Sequence, residues 1–450
     1  MATPDRSAWL LLLALALPAP AVAQWRFAGL DGHMVKTLVR HEGSLYAGTD
    51  DGVRFTSLVS PDTTWMSAGL TGREVNGLVI VDPDTLLAST VISGAGADTI
   101  SIFRTVDGGE AWEPFQNGFG LGFGTNEARA LLRSAADRNT IFATAPGKLV
   151  AKSTNLGLSW RAVMGDWGYL APGTHFVSES PAAPSIVWAG GENTAHLPYV
   201  EVSRDCGETW TTAYDASSSD NSCYSIACDP ADTNLVYVGM EGQIIKTTDG
   251  GDTWSTLYLP PGAPYFYGIA VSPTQPTRVF AAGLLHNPEP QPLVIHLSDD
   301  QGEHWVTHQE DEITDHHGVL CMLLVEQGGG DRVFLGTWGA GVFEFALGAA
   351  AVGAHNPQAT LLLQRCTPNP TRGAVCIVCE VLSPSWVQLV IHDVCGRRVE
   401  SLIDRVLPAG RHESMWSGTG RRGHRVTPGI YYATLRVGRL VASKRIVVGG

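Results

Sequence analysis

The residues able to do chemistry recur at one point of a repeating phrase. Val35-Lys-Thr-Leu38, Val75-Asn-Gly-Leu78, Ala128-Arg-Ala-Leu131, Thr174-His-Phe-Val177, Cys223-Tyr-Ser-Ile226, Phe266-Tyr-Gly-Ile269 and His316-His-Gly-Val319 align with an aliphatic residue last. Their second positions are Lys36, Asn76, Arg129, His175, Tyr224, Tyr267 and His317. Two residues earlier, on the same side of a strand, stand Glu74, Glu127 and Asp315. Cations, an amide, imidazoles and phenols at matching positions make a ring suited to a polar ligand. The three carboxylates are the residue types of acid–base cleavage of a glycosidic bond. Tyr224 and Tyr267, with Trp167 nearby, offer faces for a sugar or a peptide. The same polarity also arises wherever inner strands simply meet water.

Positioning such a ring takes repeated elements, and the chain supplies them. Lys246-Thr-Thr-Asp-Gly-Gly-Asp-Thr-Trp254 recurs as Arg104 to Trp112, Lys152 to Trp160, Val202 to Trp210 and Leu297 to Trp305. Each copy reduces to Ser/Thr-x-Asp/Asn-x-Gly-x-x-Trp, with Asp107, Asn155, Asp205, Asp249 and Asp300 at the acidic position. The pattern predicts a tight turn. The Asp or Asn bonds N–H groups two residues on, Gly takes a positive φ, and the preceding hydroxyl locks the loop. Trp65, Trp112, Trp160, Trp210, Trp254 and Trp305 are spaced 47, 48, 50, 44 and 51 residues apart. Short β-branched and aromatic runs between them give four strands per repeat of about 45 residues, the blade of a propeller. Seven third strands can be counted, ending at Gly341-Val-Phe-Glu-Phe345, which no Trp-led strand follows. Trp25 to Leu30, which parallels Trp65 to Leu70, is expected to fill that place and close the ring.

The five boxes match the Asp box, or BNR repeat, of sialidases and related propellers. That resemblance implies an all-β fold and a structural role for each box, with no activity attached. Sialidases surround a substrate carboxylate with three arginines and use a tyrosine nucleophile with an acidic partner. Here Arg129 is the only arginine of the ring, and the Arg-Ile-Pro motif of that family is absent. Endoglucanases of the xyloglucan type set two propellers across a cleft, where this chain has one. The repeat phrase is most similar to single seven-bladed propellers of the photosystem II assembly factor type, which bind partner proteins.

Residues 1–23 read as a signal peptide, with Arg6, an apolar run from Trp9 to Leu17 and a small-x-small site at Ala21-Val-Ala23. No later run of 18 apolar residues predicts a transmembrane segment. Net charge is −14, unevenly spread. Residues 24–355 carry 16 Lys and Arg against 38 Asp and Glu, a balance of −22, while 356–450 carry 13 against 5, or +8. An acidic body argues against a nucleic-acid partner. Eight cysteines in an exported chain invite disulfides, though Cys376 and Cys379, an odd number apart on one strand, face opposite sides.

After a small, apolar linker at 348–362, strand runs alternate with Gly, Pro and Asp turns over 363–450, as in a small β-sandwich. Pro368-Asn369-Pro370, Asp393, Gly396-Arg397, Ala409-Gly410, Trp416, Gly429, Tyr431 and Lys444 resemble the Ig-like C-terminal sorting domain of type IX secretion substrates. That resemblance implies passage across the outer membrane by the type IX machinery, not catalysis. His308 to His317 lacks the spacing of a metal motif and reads as an acidic loop. No metal or cofactor is expected. The sequence thus predicts a seven-bladed Asp-box β-propeller over 24–347 and an Ig-like β-sandwich over 363–450. Its favoured function is non-catalytic, binding a protein or carbohydrate ligand at the ring. Its second is a secreted glycoside hydrolase using Glu74, Glu127 and Asp315.

Overall fold

The structure is a computed structural model that describes residues 24–58, 64–92, 100–119, 127–165, 173–193, 195–216, 221–258, 264–285, 291–310, 318–327, 330–347, 363–381, 385–393, 397–408, 410–420, 424–437 and 440–449. Among them there is no helix. The strands from Gln24 to Ala346 form seven four-stranded antiparallel units. Their first strands are Val35–His41, Val75–Ile80, Leu131–Arg133, Thr174–Ser180, Cys223–Cys228, Tyr265–Val271 and Val319–Gln327. Each lies beside the next, and the seventh returns to the first. The result is the closed ring of a β-propeller, with the first strands innermost.

Second strands such as Leu86–Thr90, Ile141–Ala145 and Val236–Met240 are buried along their whole length. Neighbouring blades cover both their faces, so they read as continuous apolar runs without alternation. Glycine lets the inner strands approach each other: a Cβ on Gly268 would lie 2.4 Å from the Cβ of Met322 on the next blade.

The ring closes on the N-terminal strand. Gln24–Gly29 pairs antiparallel with Val342–Ala346, the third strand of the seventh blade. Trp25 packs on Phe345 with centroids 4.9 Å apart. Arg26 donates from Nε and Nη2 to Glu344 at 2.9 and 2.6 Å, and Arg332 donates to the other oxygen of the same buried carboxylate.

The boxes join third to fourth strands, at the end of each blade opposite the entrance to its first strand. Their bonding differs from the expectation. The Asp or Asn accepts the N–H four residues on, not two: Ala111 to Asp107 at 3.0 Å, Ser159 to Asn155 at 2.9, Thr209 to Asp205 at 2.8, Thr253 to Asp249 at 2.9 and His304 to Asp300 at 2.8. The nearer N–H belongs to the hydroxyl. In the Lys246 box, Thr247 Oγ1 accepts from Gly251 at 2.9 Å and donates to Asp249 Oδ1 at 2.7 Å. Two successive residues adopt positive φ, which carries the carboxylate past the closer amides: Gly250 and Gly251 here, Gln301 and Gly302 in the last box. The residue after each Asp also donates to the turn between first and second strands, as Gly250 does to Asn234 O at 3.0 Å.

Each box tryptophan stands just before its outer strand. Trp160 and Trp305 are buried, while Trp112, Trp210 and Trp254 are half-buried. Trp112 Nε1 donates to Ala68 O and Trp254 Nε1 to Ala213 O, both at 2.9 Å, tying each blade to the one before it. Trp210 and Trp305 bond within their own boxes, to the carbonyls of Gly207 and Gly302.

From Leu363 onward, Leu363–Thr367, Val375–Val381 and Gly410–Trp416 form one sheet. Ser385–Asp393, Arg398–Leu407, Gly429–Val437 and Leu440–Val448 form a second. Ile377, Leu389, Ile391, Trp416 and Tyr431 share a core that contains no propeller residue. One backbone pair, Val306 with Ala442, continues the sixth blade into the second sheet. Cys379 is buried and Cys376 is not, and the described cysteines are free thiols.

Candidate functional site

The ring positions owe their aim to β-bulges. In six of the seven first strands the ladder register shifts at the ring residue: between Val35 and Thr37, Val75 and Gly77, Thr174 and Phe176, Cys223 and Ser225, Tyr265 and Gly268, and Val319 and Cys321. A bulge leaves a residue without a ladder partner and re-aims its side chain, here into the central channel. In the third blade Arg129 precedes the strand, and its N–H is held by Thr144 O at 2.8 Å.

Lys36, Asn76, Glu127, Arg129, His175, Tyr224 and Tyr267 line one cavity of about 440 Å³, together with Leu320 and Cys321. Glu74 stands beside it, ion-paired to Lys36. His317, Asp315 and Trp167 lie outside the described residues. In the seventh blade Val319 corresponds in register to Val35, and the bulge residue that lines the cavity there is Leu320. The phrase Val319-Leu-Cys-Met322 carries the signal, a small residue after the ring position and an aliphatic one after that.

The wall has two arcs. Blades one to three supply a bonded polar chain. Lys36 Nζ donates to Asn76 Oδ1 at 3.0 Å, and Asn76 Nδ2 donates to Glu127 Oε1 at 3.0 Å. Both carboxylates are thereby engaged, Glu74 by the ammonium and Glu127 by the amide. Blades four to seven supply His175, Tyr224, Tyr267 and Leu320. His175 stacks on Tyr224 at 5.4 Å and 12°, and Tyr224 meets Tyr267 at 4.6 Å. This alters the stacking expectation. Tyr224 packs between its neighbours and presents its edge, not a free face.

Electrostatics keep this second arc neutral. Burial, then the positive charge of Arg129, lowers the His175 pKa to about 4, and its Nδ1 bonds Cys223 O at 3.0 Å. Burial pushes Tyr267 up to about 12 and Tyr224 well above its usual value, so both phenols keep their protons. Burial likewise lifts the Cys321 thiol to about 12, so it shapes the wall and is no nucleophile. Glu192, which sequence reasoning missed, stands behind the arc. It accepts from Ser222 Oγ at 2.7 Å and lies 3.9 Å from His175 Nε2. Its place on a second strand, outside the inner-strand phrase, kept it from view.

Among the described residues, no group of three or more His, Cys, Asp and Glu is placed to hold a metal. His308, from the stretch weighed as a metal loop, is on the outer strand Val306–Glu310 and packs on Phe345 at 5.2 Å. The rest of that loop, 311–317, lies outside the described residues. No described helix is long and apolar enough to cross a membrane.

No protein-family model matches this chain, and no curated protein does. Solved structures do. The chain is similar to YCF48 bound to D1 peptide, with 14% identity, a TM-score of 0.50, and coverage of 73% of this chain and 99% of that one. It is similar to the GH74 xyloglucanase from Xanthomonas campestris, with 15% identity, a TM-score of 0.55, and coverage of 92% and 80%. A third likeness is to the extracellular domain of a two-component system protein of B. thetaiotaomicron, with 11% identity, a TM-score of 0.52, and coverage of 96% and 60%. The fold shared with them is a β-propeller. At these identities the likeness is one of fold.

Proposed function

We propose that this chain is an exported, non-catalytic propeller that binds a protein or carbohydrate ligand in the channel-mouth cavity. The observation that carries the reading is the convergence of six polar ring residues on one cavity, two of whose neighbouring carboxylates, Glu74 and Glu127, are already bonded internally. Acid–base hydrolysis needs one carboxyl to give a proton and another to attack or activate water. Glu74 and Glu127 are instead engaged by Lys36 and Asn76. The likeness to YCF48, which was solved with a bound peptide, supports a protein ligand. A second reading, a glycoside hydrolase working through Glu74, Glu127 and Asp315, draws support from the GH74 likeness. Incubating the purified chain with xyloglucan and sialosides decides between them. Retention without new reducing ends is expected; turnover lost on Glu127→Gln would establish the enzyme.

The reading includes delivery. Residues 1–23 act as the export signal, and 363–450 act as an Ig-like sorting domain recognised by the type IX machinery, giving a secreted or surface-held protein. The two-sheet packing and the bond from Tyr431 Oη to Thr427 O at 2.7 Å support the Ig-like assignment. Deleting 363–450 should strand a folded propeller in the periplasm, and normal surface delivery after deletion would refute the sorting role.

A further inference from the structure

Arg129 differs from every other charged group of the cavity wall. Lys36 is answered by Glu74, Glu127 by Asn76, and Glu192 by Ser222 with His196 3.5 Å away. Among the described residues, the Arg129 guanidinium makes no hydrogen bond and no ion pair. Its backbone is nonetheless fixed, through its own N–H on Thr144 O and the Ala130 N–H on Thr144 Oγ1 at 3.0 Å. The side chain is half-buried on the cavity wall. A guanidinium carries five donors in a planar fork that fits a carboxylate in bidentate fashion. It is held in a concave site whose described carboxylates bond other groups, Glu74 the Lys36 ammonium and Glu127 the Asn76 amide, so its fork is left for a ligand.

The aromatic arc narrows the class of that partner. A sugar ring is gripped by open aromatic faces, and Tyr224 has none to spare between His175 and Tyr267. What the arc presents is neutral edges and phenolic hydroxyls, beside the Asn76 amide. Such groups suit peptide amides. We propose that Arg129 receives a side-chain or terminal carboxylate of an acidic peptide segment. This rests on the cavity being the ligand site.

The test is calorimetric titration of the full chain at low salt with three probes: an alternating glutamate–alanine hexapeptide, its glutamine–alanine counterpart, and trigalacturonate. The glutamate peptide is expected to saturate the wild type and the glutamine peptide not to. Arg129→Gln should weaken the glutamate peptide by roughly tenfold or more, the share of one charge-assisted contact, and Arg129→Lys should restore part of it. Unchanged melting of Arg129→Gln is expected, because the guanidinium holds nothing in the fold. Failure of the glutamate peptide to bind, equal binding of the two peptides, or indifference to Arg129→Gln overturns the assignment. Preference for trigalacturonate overturns the peptide class. If Asn76→Ala and Tyr267→Ala weaken a peptide that Arg129→Gln leaves alone, the cavity stands and the carboxylate falls. If no cavity variant alters any probe, the cavity reading falls first.

Discussion

His175 couples the site to pH. Its imidazole is held neutral by burial and by Arg129, with a pKa of about 4. In the sixth blade, burial and then His308 lower His296 to about 3, and burial lowers His308 to about 4. All three start from 6.5. Below that pH the unfolded chain takes up protons that the folded chain refuses, so acid favours unfolding. Stability should be flat in these groups above 6.5, fall as pH drops toward about 4, and level off once the folded imidazoles charge as well. Denaturant midpoints between pH 7.5 and 4 check this, and His175→Gln should remove part of the slope. At the opposite face, Thr247 is the buried hydroxyl of a box. Thr247→Val leaves Gly251 N–H and Asp249 short of a partner and should cost about 1–3 kcal/mol by chemical unfolding, with cavity binding unchanged.

The box turn is an element whose tension differs from copy to copy. Where Gly108 and Gly250 follow the acidic residue, positive φ is free of strain; where Leu156, Cys206 and Gln301 stand, an L side chain occupies the left-handed region. Gln301→Gly should therefore raise stability by about 0.5–1 kcal/mol in thermal or urea unfolding, because the bonds it makes are backbone ones that glycine keeps: its N–H to Thr277 O at 2.7 Å and its carbonyl to Lys246 Nζ at 3.0 Å. Repeats of this kind were legible in the sequence, since turn chemistry demands particular residue types. The bonding inside the turn was not, because the spacing Asp-x-Gly does not reveal which amide the carboxylate reaches. The inner strands show the same division. Lys36, Asn76, Arg129, His175, Tyr224 and Tyr267 could be read as one column, because each precedes a small or tightly packed residue and then an aliphatic one. The bulge that aims them breaks the two-residue alternation, so Leu320 was not read as part of the column. That His175, Tyr224 and Tyr267 would stack on each other depends on distances between blades, which no local pattern encodes.

At the scale of the whole molecule, the propeller and the C-terminal strands hold separate cores, and one backbone pair, Val306 with Ala442, joins their sheets. Calorimetry of the full chain should resolve two transitions, and deleting 363–450 should remove one while leaving the other within a few degrees. The clasp at the seam is the stronger test of the ring. Glu344→Gln removes the charge that answers both Arg26 and Arg332 and should lower stability by about 2 kcal/mol or more, since it leaves a guanidinium half-buried without its counter-charge. That clasp also sets an order of events. Arg26 and Glu344 are 318 positions apart, so within the propeller the first strand is the last to find its partner. Until the seventh blade has been synthesised, the ring has no partner for its first strand and cannot close. Maturation is then a late, cooperative snap, slow by virtue of its contact order, and it occurs wherever residue 346 finally catches up with residue 24.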